Sequence, residues 1–271
     1  MSERNVALEF SCVSVSYGRG PLFEGFNLAI PAGGVCGILG PNGCGKSTLL
    51  SLADGIMAPA AGEISVAGMP ISRLSAKERA SKVALLPQVH RTPSMRVRDL
   101  VACGRYVHMG PFGQLSESDE EIVDEAIRLM GLEKLAERNA RRLSGGERQR
   151  AFIAMTLAQG AGLLLLDEPT TYLDVRAAHE LMGLVRRLAD ERGITVVTVL
   201  HDVDLALRFC DEVAVLGGKR PTQLLAQGTP DEVVEGSALV SSLGVEAVPC
   251  TKDGRRAYSL FVAEGKELDE S

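Results

Sequence analysis

The chain has 271 residues, 45% of them hydrophobic and 24% charged, enough for one large α/β domain or two ordinary ones around a sizeable core. Its 29 basic and 35 acidic side chains leave a net charge of −6, and aromatics make up 4% with no Trp, a balance that argues against a duplex-binding surface or a base-stacking platform. The longest apolar runs, LLLL (163–166) and ITVVTVL (194–200), fall far short of the ~20 residues of a membrane span, and MSERNVALEF lacks the apolar stretch of a secretory leader.

The first 30 residues read as two antiparallel strands, VALEFSCVSVSY and LFEGFNLAI, joined by the turn residues Gly18, Arg19, Gly20 and Pro21. VCGIL (35–39) is a buried strand that feeds GPNGCGKST (40–48), and TLLSLADGI suits a helix ending near Gly55. EISVAG (63–68) and VALLP (83–87) are further strands. From 97 to 158 the pattern turns helical. Within SDEEIVDEAIRLMGL, the residues Ile122, Val123, Ala126, Ile127, Leu129 and Met130 form one apolar face, Ser118 and Glu121 make a capping-box pair, and Gly131 is the stop. GLLLLD (162–167), ITVVTVL and DEVAVL (211–216) are strands by length and composition. Between the first two lies a helix over 174–192 stopped by Gly193, and Thr229 with Pro230 opens a short helix. Strands alternating with helices imply a parallel sheet covered on both faces, interrupted by a helical insert at about 90–160. The segment 245–271 reads as a short hairpin followed by an acidic tail.

GPNGCGKS fits G-x-x-x-x-G-K-[ST]. Its glycines let backbone N–H groups face phosphate oxygens, Lys46 reaches the β and γ phosphates, and the Ser47 hydroxyl suits Mg²⁺. The helix N-terminus that follows adds positive potential. Asp167 and Glu168 end one buried strand, where a carboxylate can hold Mg²⁺ and its neighbour can polarise a water. His201 ends another strand, and its imidazole can bond a phosphate or the attacking water. Gln88 follows a third, and its amide can reach Mg²⁺ or water. In LSGGERQR (143–150), Ser144 and Glu147 make a capping box around Gly145 and Gly146. Two glycines there weaken a helix, and bare N–H groups at its start suit an anion. The six cysteines lie far apart in sequence, which predicts free thiols and no metal site made of protein side chains alone.

Taken together these motifs resemble the nucleotide-binding subunit of ABC transporters, over nearly the whole chain. The resemblance rests on GPNGCGKST (Walker A), Gln88 (Q-loop), LSGGERQR (signature), LLLLDEP (Walker B), TYLD at 171–174 (D-loop) and His201 (switch histidine), with Tyr17 matching the aromatic that stacks on adenine. It implies an α/β P-loop NTPase (RecA-like) core with an N-terminal antiparallel β-subdomain and the inserted helical subdomain, in an ATPase domain over 1–244 and an extension over 245–271. It further implies ATP and Mg²⁺ as cofactors. The nucleotide would contact Tyr17, Gly40, Pro41, Asn42, Gly43, Cys44, Gly45, Lys46, Ser47, Thr48, Gln88 and Asp167 of one subunit, and Ser144, Gly145, Gly146 and Glu147 of the other subunit of a head-to-tail dimer. Ser47, Gln88 and Asp167 would serve the metal, Glu168 would be the general base, and Lys46 and His201 would complete the catalytic set.

The implied partners are a second copy, an integral permease docked on the helical insert at the cytoplasmic face of the membrane and, indirectly, a substrate-binding protein, with no nucleic acid. GRYVHMGPFG (104–113) and VLHDVDLALRFCDEV (199–213) look like the importers of iron–siderophore, haem and cobalamin. The alternative, a DNA-repair or ribosome-associated relative, needs long coiled-coil insertions or two cassettes in one chain, and this sequence has neither. Thr171-Tyr172 departs from the small residues common in the D-loop but leaves Asp174 in place. Cys44, at a variable Walker A position, is expected to make the site sensitive to thiol reagents. Arg148 and Arg150 are expected to serve local salt bridges or phosphate-side electrostatics.

Overall fold

A computed structural model describes residues 5–18, 20–88, 91–109, 114–252 and 255–263. In chain order the elements are β1 (Val6–Tyr17), β2 (Gly20–Pro31), β3 (Gly34–Leu39), α1 (Lys46–Ala53), β4 (Ala61–Val66), β5 (Met69–Pro70), α2 (Ala76–Ala80) and β6 (Val83–Leu86). The helical insert holds α3 (Val97–Ala102), α4 (Glu117–Leu129) and α5 (Gly145–Ala158). There follow β7 (Leu163–Asp167), α6 (Val175–Arg192), β8 (Thr195–Val199), α7 (Val203–Phe209), β9 (Glu212–Gly217), β10 (Gln223–Gly228), α8 (Pro230–Glu235), α9 (Ala238–Leu243), β11 (Val245–Lys252) and β12 (Arg255–Val262).

The central sheet runs β10-β9-β3-β8-β7-β6. β9, β3, β8, β7 and β6 are mutually parallel, and β10 is antiparallel to β9. β7 and β8 are buried at every position, which is why they read as unbroken apolar runs rather than alternating ones. One face of the sheet packs against the helical insert and α6, with Met130, Ile153, Met182 and Val185 fully covered. The other face packs under α1 and the β1–β2–β4–β5 sheet, around Phe10, Phe23, Leu49 and Leu52.

The 174–192 helix appears as expected, capped by the Asp174 carboxylate on the Ala177 N–H and closed by Gly193 at φ +63°. The cap of α4 differs from the sequence reading. Its box is formed by Ser116 and Asp119, two residues before the expected Ser118 and Glu121. The earlier start wins because the Asp119 carboxylate does two jobs: Oδ2 accepts the Ser116 N–H at 3.0 Å, and Oδ1 accepts Arg105 Nε at 2.8 Å in a buried ion pair. The local pattern cannot show that tertiary partner. β11 and β12 form an antiparallel hairpin, from Val245 opposite Val262 to Lys252 opposite Arg255. The acidic tail and positions 110–113 lie outside the described residues. Among those described, no helix is long and apolar enough to cross a membrane.

Candidate functional site

Four parallel strands end at one edge of the sheet, and each delivers chemistry there. β3 runs into the glycine loop that opens α1, β6 leads to Gln88, β7 ends in Asp167 and Glu168, and β8 leads to His201. Ligands collect at the carboxyl edge of such sheets.

The loop is shaped by what packs beneath it. Gly45, the residue before α1, sits at φ +100°. A Cβ there would lie 2.7 Å from Phe23 Cζ and 2.9 Å from Leu22 Cδ2, both from β2. Only glycine meets both the left-handed backbone and the contact. Lys46 is buried, and its ammonium donates to the carbonyls of Gly40 (2.8 Å) and Pro41 (3.0 Å). Ser47 Oγ donates to Asp167 Oδ1 at 3.1 Å. Burial pushes the Asp167 carboxyl above the usual carboxylate range, with the Ser47 hydroxyl pulling the other way. A hydroxyl and a carboxylate brought together in this way are hard oxygen donors of the kind Mg²⁺ takes beside a phosphate.

Glu168 carries the densest set of contacts. Its backbone is left-handed at φ +50° and its side chain is 11% exposed. Gln88 Nε2 donates to Oε2 at 2.6 Å, Thr171 Oγ1 donates to the same oxygen at 3.1 Å, and His201 Nε2 lies 2.6 Å from Oε1. The sequence places Gln88, Glu168 and His201 at one edge, and the structure joins them directly. Thr171, expected only as a D-loop position, is a further site residue through its bond to Glu168. Spacing offered a hint, because a threonine three residues past a strand-ending acid can turn back onto it.

Tyr17 stands at the mouth of the cleft. Its hydroxyl lies 3.5 Å from Thr48 Oγ1 and donates to Met57 Sδ at 3.4 Å. Asn42, Gly43, Thr48, Leu22 and Arg220 complete the lining of a cleft of ≈ 300 Å³. Arg220 is not among the expected site residues, because nothing in the sequence marks the loop that leaves DEVAVL. The expected reactivity of Cys44 is corrected. The residue is 6% exposed and burial raises its thiol pKa, with Lys46 opposing, so it is a poor target for thiol reagents.

The LSGGE segment forms a different cleft. Ser144 Oγ accepts the Glu147 N–H at 3.3 Å and Glu147 Oε2 accepts the Ser144 N–H at 2.8 Å, so the expected capping box is present. Cβ atoms on Gly145 and Gly146 would meet only ordinary contacts, at 3.7 Å from Leu173 and 3.5 Å from Ala177. The fold of this chain therefore has room for side chains at both positions. The bare backbone faces a groove lined by Ser144, Glu147, Arg150, Tyr172 and Asp174. That groove shares no lining residue with the phosphate cleft. Tyr172 is 99% exposed at φ +66°. Arg148 and Arg150 form no ion pair among the described residues, contrary to the salt-bridge expectation, and the buried Arg150 Nε has no partner there.

A phosphate loop at the carboxyl edge of a parallel sheet, with a buried lysine and paired acids beside it, defines a P-loop nucleotide-binding protein. The ABC transporter family pattern (ABC_tran) matches residues 23–171. The petrobactin import ATP-binding protein FpuD of Bacillus anthracis is 42% identical, over 84% of this chain and 83% of its own. The iron(3+)-hydroxamate import ATP-binding protein FhuC of Bacillus subtilis is 41% identical, over 87% of each. Among solved structures, an ABC transporter in an inward-facing conformation superposes with a TM-score of 0.82 at 27% identity, over 95% of this chain and 97% of that one. The ATP-binding cassette MJ0796, in a dimeric post-hydrolysis state bound to ADP and Pi, gives 0.71 at 26% identity, over 82% and 98%. The chain belongs to the ABC transporter family and is an ATP-binding, ATP-hydrolysing subunit.

Proposed function

We propose that two copies of this chain pair head to tail, each ATP lying between the phosphate loop of one and the Ser144 helix start of the other. The observation that carries this is the signature groove: two glycines that the fold does not require, at a capped helix start, in a groove apart from the phosphate cleft. Bare N–H groups at that start suit a phosphate supplied from outside the chain. MJ0796, a dimer in its solved form, lends support.

In this reading Tyr17 carries the adenine, Lys46 holds the β and γ phosphates, and Ser47, Gln88 and Asp167 hold Mg²⁺. When bound, Mg²⁺ would neutralise negative charge on the phosphate oxygens. Glu168 takes the proton of the attacking water, and Gln88, Thr171 and His201 hold its carboxylate in place. Hydrolysis drives a permease docked on the helical insert, which keeps this subunit at the cytoplasmic face of the membrane. The cargo is a metal chelate of the iron–siderophore, haem or cobalamin kind. The names of the relatives FpuD and FhuC support the siderophore reading.

Glu168→Gln tests the mechanism. ATP binding should persist and a nucleotide-locked dimer should accumulate on size exclusion, while kcat falls about 10²- to 10⁴-fold. Wild-type turnover in that variant would remove Glu168 as the base. The same variant should stop ferric-siderophore uptake in cells, and unimpaired uptake would overturn the cargo.

A further inference from the structure

The central sheet places β9 on the side of β3 away from β8, β7 and β6. Its carboxyl end therefore reaches the nucleotide edge on the flank opposite Glu168, His201 and Gln88. The loop that leaves it, 218–222, is tied down. The Thr222 N–H donates to the Leu22 carbonyl at 2.7 Å, and Thr222 is buried. Leu22 and its neighbour Phe23 are the residues packed under Gly45. One short chain of contacts thus fixes this loop to the floor of the phosphate cradle. Two residues before the tether, Arg220 lines the cleft together with Asn42, Gly43, Lys46 and Tyr17. It is exposed and has no hydrogen bond or ion pair with any described residue. Lys46, the other cation lining the cleft, already spends two of its donors on the loop carbonyls.

We infer that Arg220 is a nucleotide-binding residue that grips the α,β-diphosphate of ATP and ADP from the flank opposite the catalytic acid. A guanidinium offers paired donors that match phosphate oxygens. Its flank sets what it can touch: the part of the nucleotide that remains after the γ-phosphate leaves. Arg220 therefore contributes ground-state binding, which appears in KM rather than kcat.

The inference rests on the nucleotide reading of this cleft, and the test separates the two. ADP and a non-hydrolysable ATP analogue are titrated calorimetrically into the full-length wild type, Arg220→Ala, Arg220→Lys and Lys219→Ala. Arg220→Ala should weaken both nucleotides about tenfold, Arg220→Lys should recover part of the loss, and Lys219→Ala should leave affinity unchanged. In ATPase assays the Arg220→Ala loss should sit in KM. Unchanged ADP affinity in Arg220→Ala overturns the inference. So does a loss confined to the ATP analogue, which would put the contact on the γ-phosphate. An equal loss in Lys219→Ala also overturns it, by showing a diffuse charge effect. A wild type that binds neither nucleotide overturns the nucleotide reading itself.

Discussion

Asp54, at the end of α1, is half-buried, and burial lifts its pKa to about 6 while Arg79 pulls it down. A carboxyl whose pKa rises on folding takes up protons on folding between its ordinary value and the raised one. Stability therefore falls as pH rises from about 4 to 6 and stays reduced above that window. Asp54→Asn should raise stability at pH 7.5 by on the order of 1 kcal/mol, the shift being discounted for its partial exposure, with the gain fading toward pH 4. Denaturant melts at the two pH values check this, and an equal effect at both would rule the carboxylate out as the cause. The residues of the candidate site were far more legible than this one. Asp167, Glu168 and His201 each end an apolar run that reads as a buried strand, and Lys46 and Ser47 sit in the glycine motif that follows another, so their convergence follows from the sheet rule. Thr171 and Arg220 were not legible, because their roles come from a loop turning back and from a loop tethered to β2.

At the level of elements, Arg105 ties α4 to the end of α5 within the insert. Its Nε meets Asp119 in α4 and its Nη1 donates to the Ala158 carbonyl at 2.8 Å, with both side chains of the ion pair under a tenth exposed. Bonds from Ser116 and then from Arg105 hold the Asp119 carboxyl down at about 2. Arg105→Met would leave Asp119 and a helix-end carbonyl buried without that partner. The expected loss is about 3–5 kcal/mol, measured by chemical denaturation, and a loss under ~1 kcal/mol would show that water or a neighbour replaces the guanidinium. The periodicity over 97–158 gave the helical insert and the apolar face of α4. It misplaced the cap by two residues because Ser116–Asp119 and Ser118–Glu121 both fit the local pattern, and only Arg105, remote in sequence, chooses between them. β10 passed unread because QLLAQG alternates only partly buried and exposed positions, too weak a signal at an antiparallel edge.

Across the whole molecule, the phosphate cleft and the signature groove share no lining residue, so damage to one leaves the other sound. A chain carrying Lys46→Ala keeps an intact Ser144 face, and a chain carrying Ser144→Arg keeps an intact loop. Each preparation alone should be dead, Ser144→Arg while still binding ATP as a monomer. Mixed, they should regain part of the wild-type turnover in a coupled ATPase assay, because the mixed pair contains one composite site built from two undamaged halves. A mixture as inactive as its components would refute head-to-tail pairing. In a cell the same arrangement becomes a matter of inheritance: two null alleles of one gene, carried together, should restore uptake that neither supports alone.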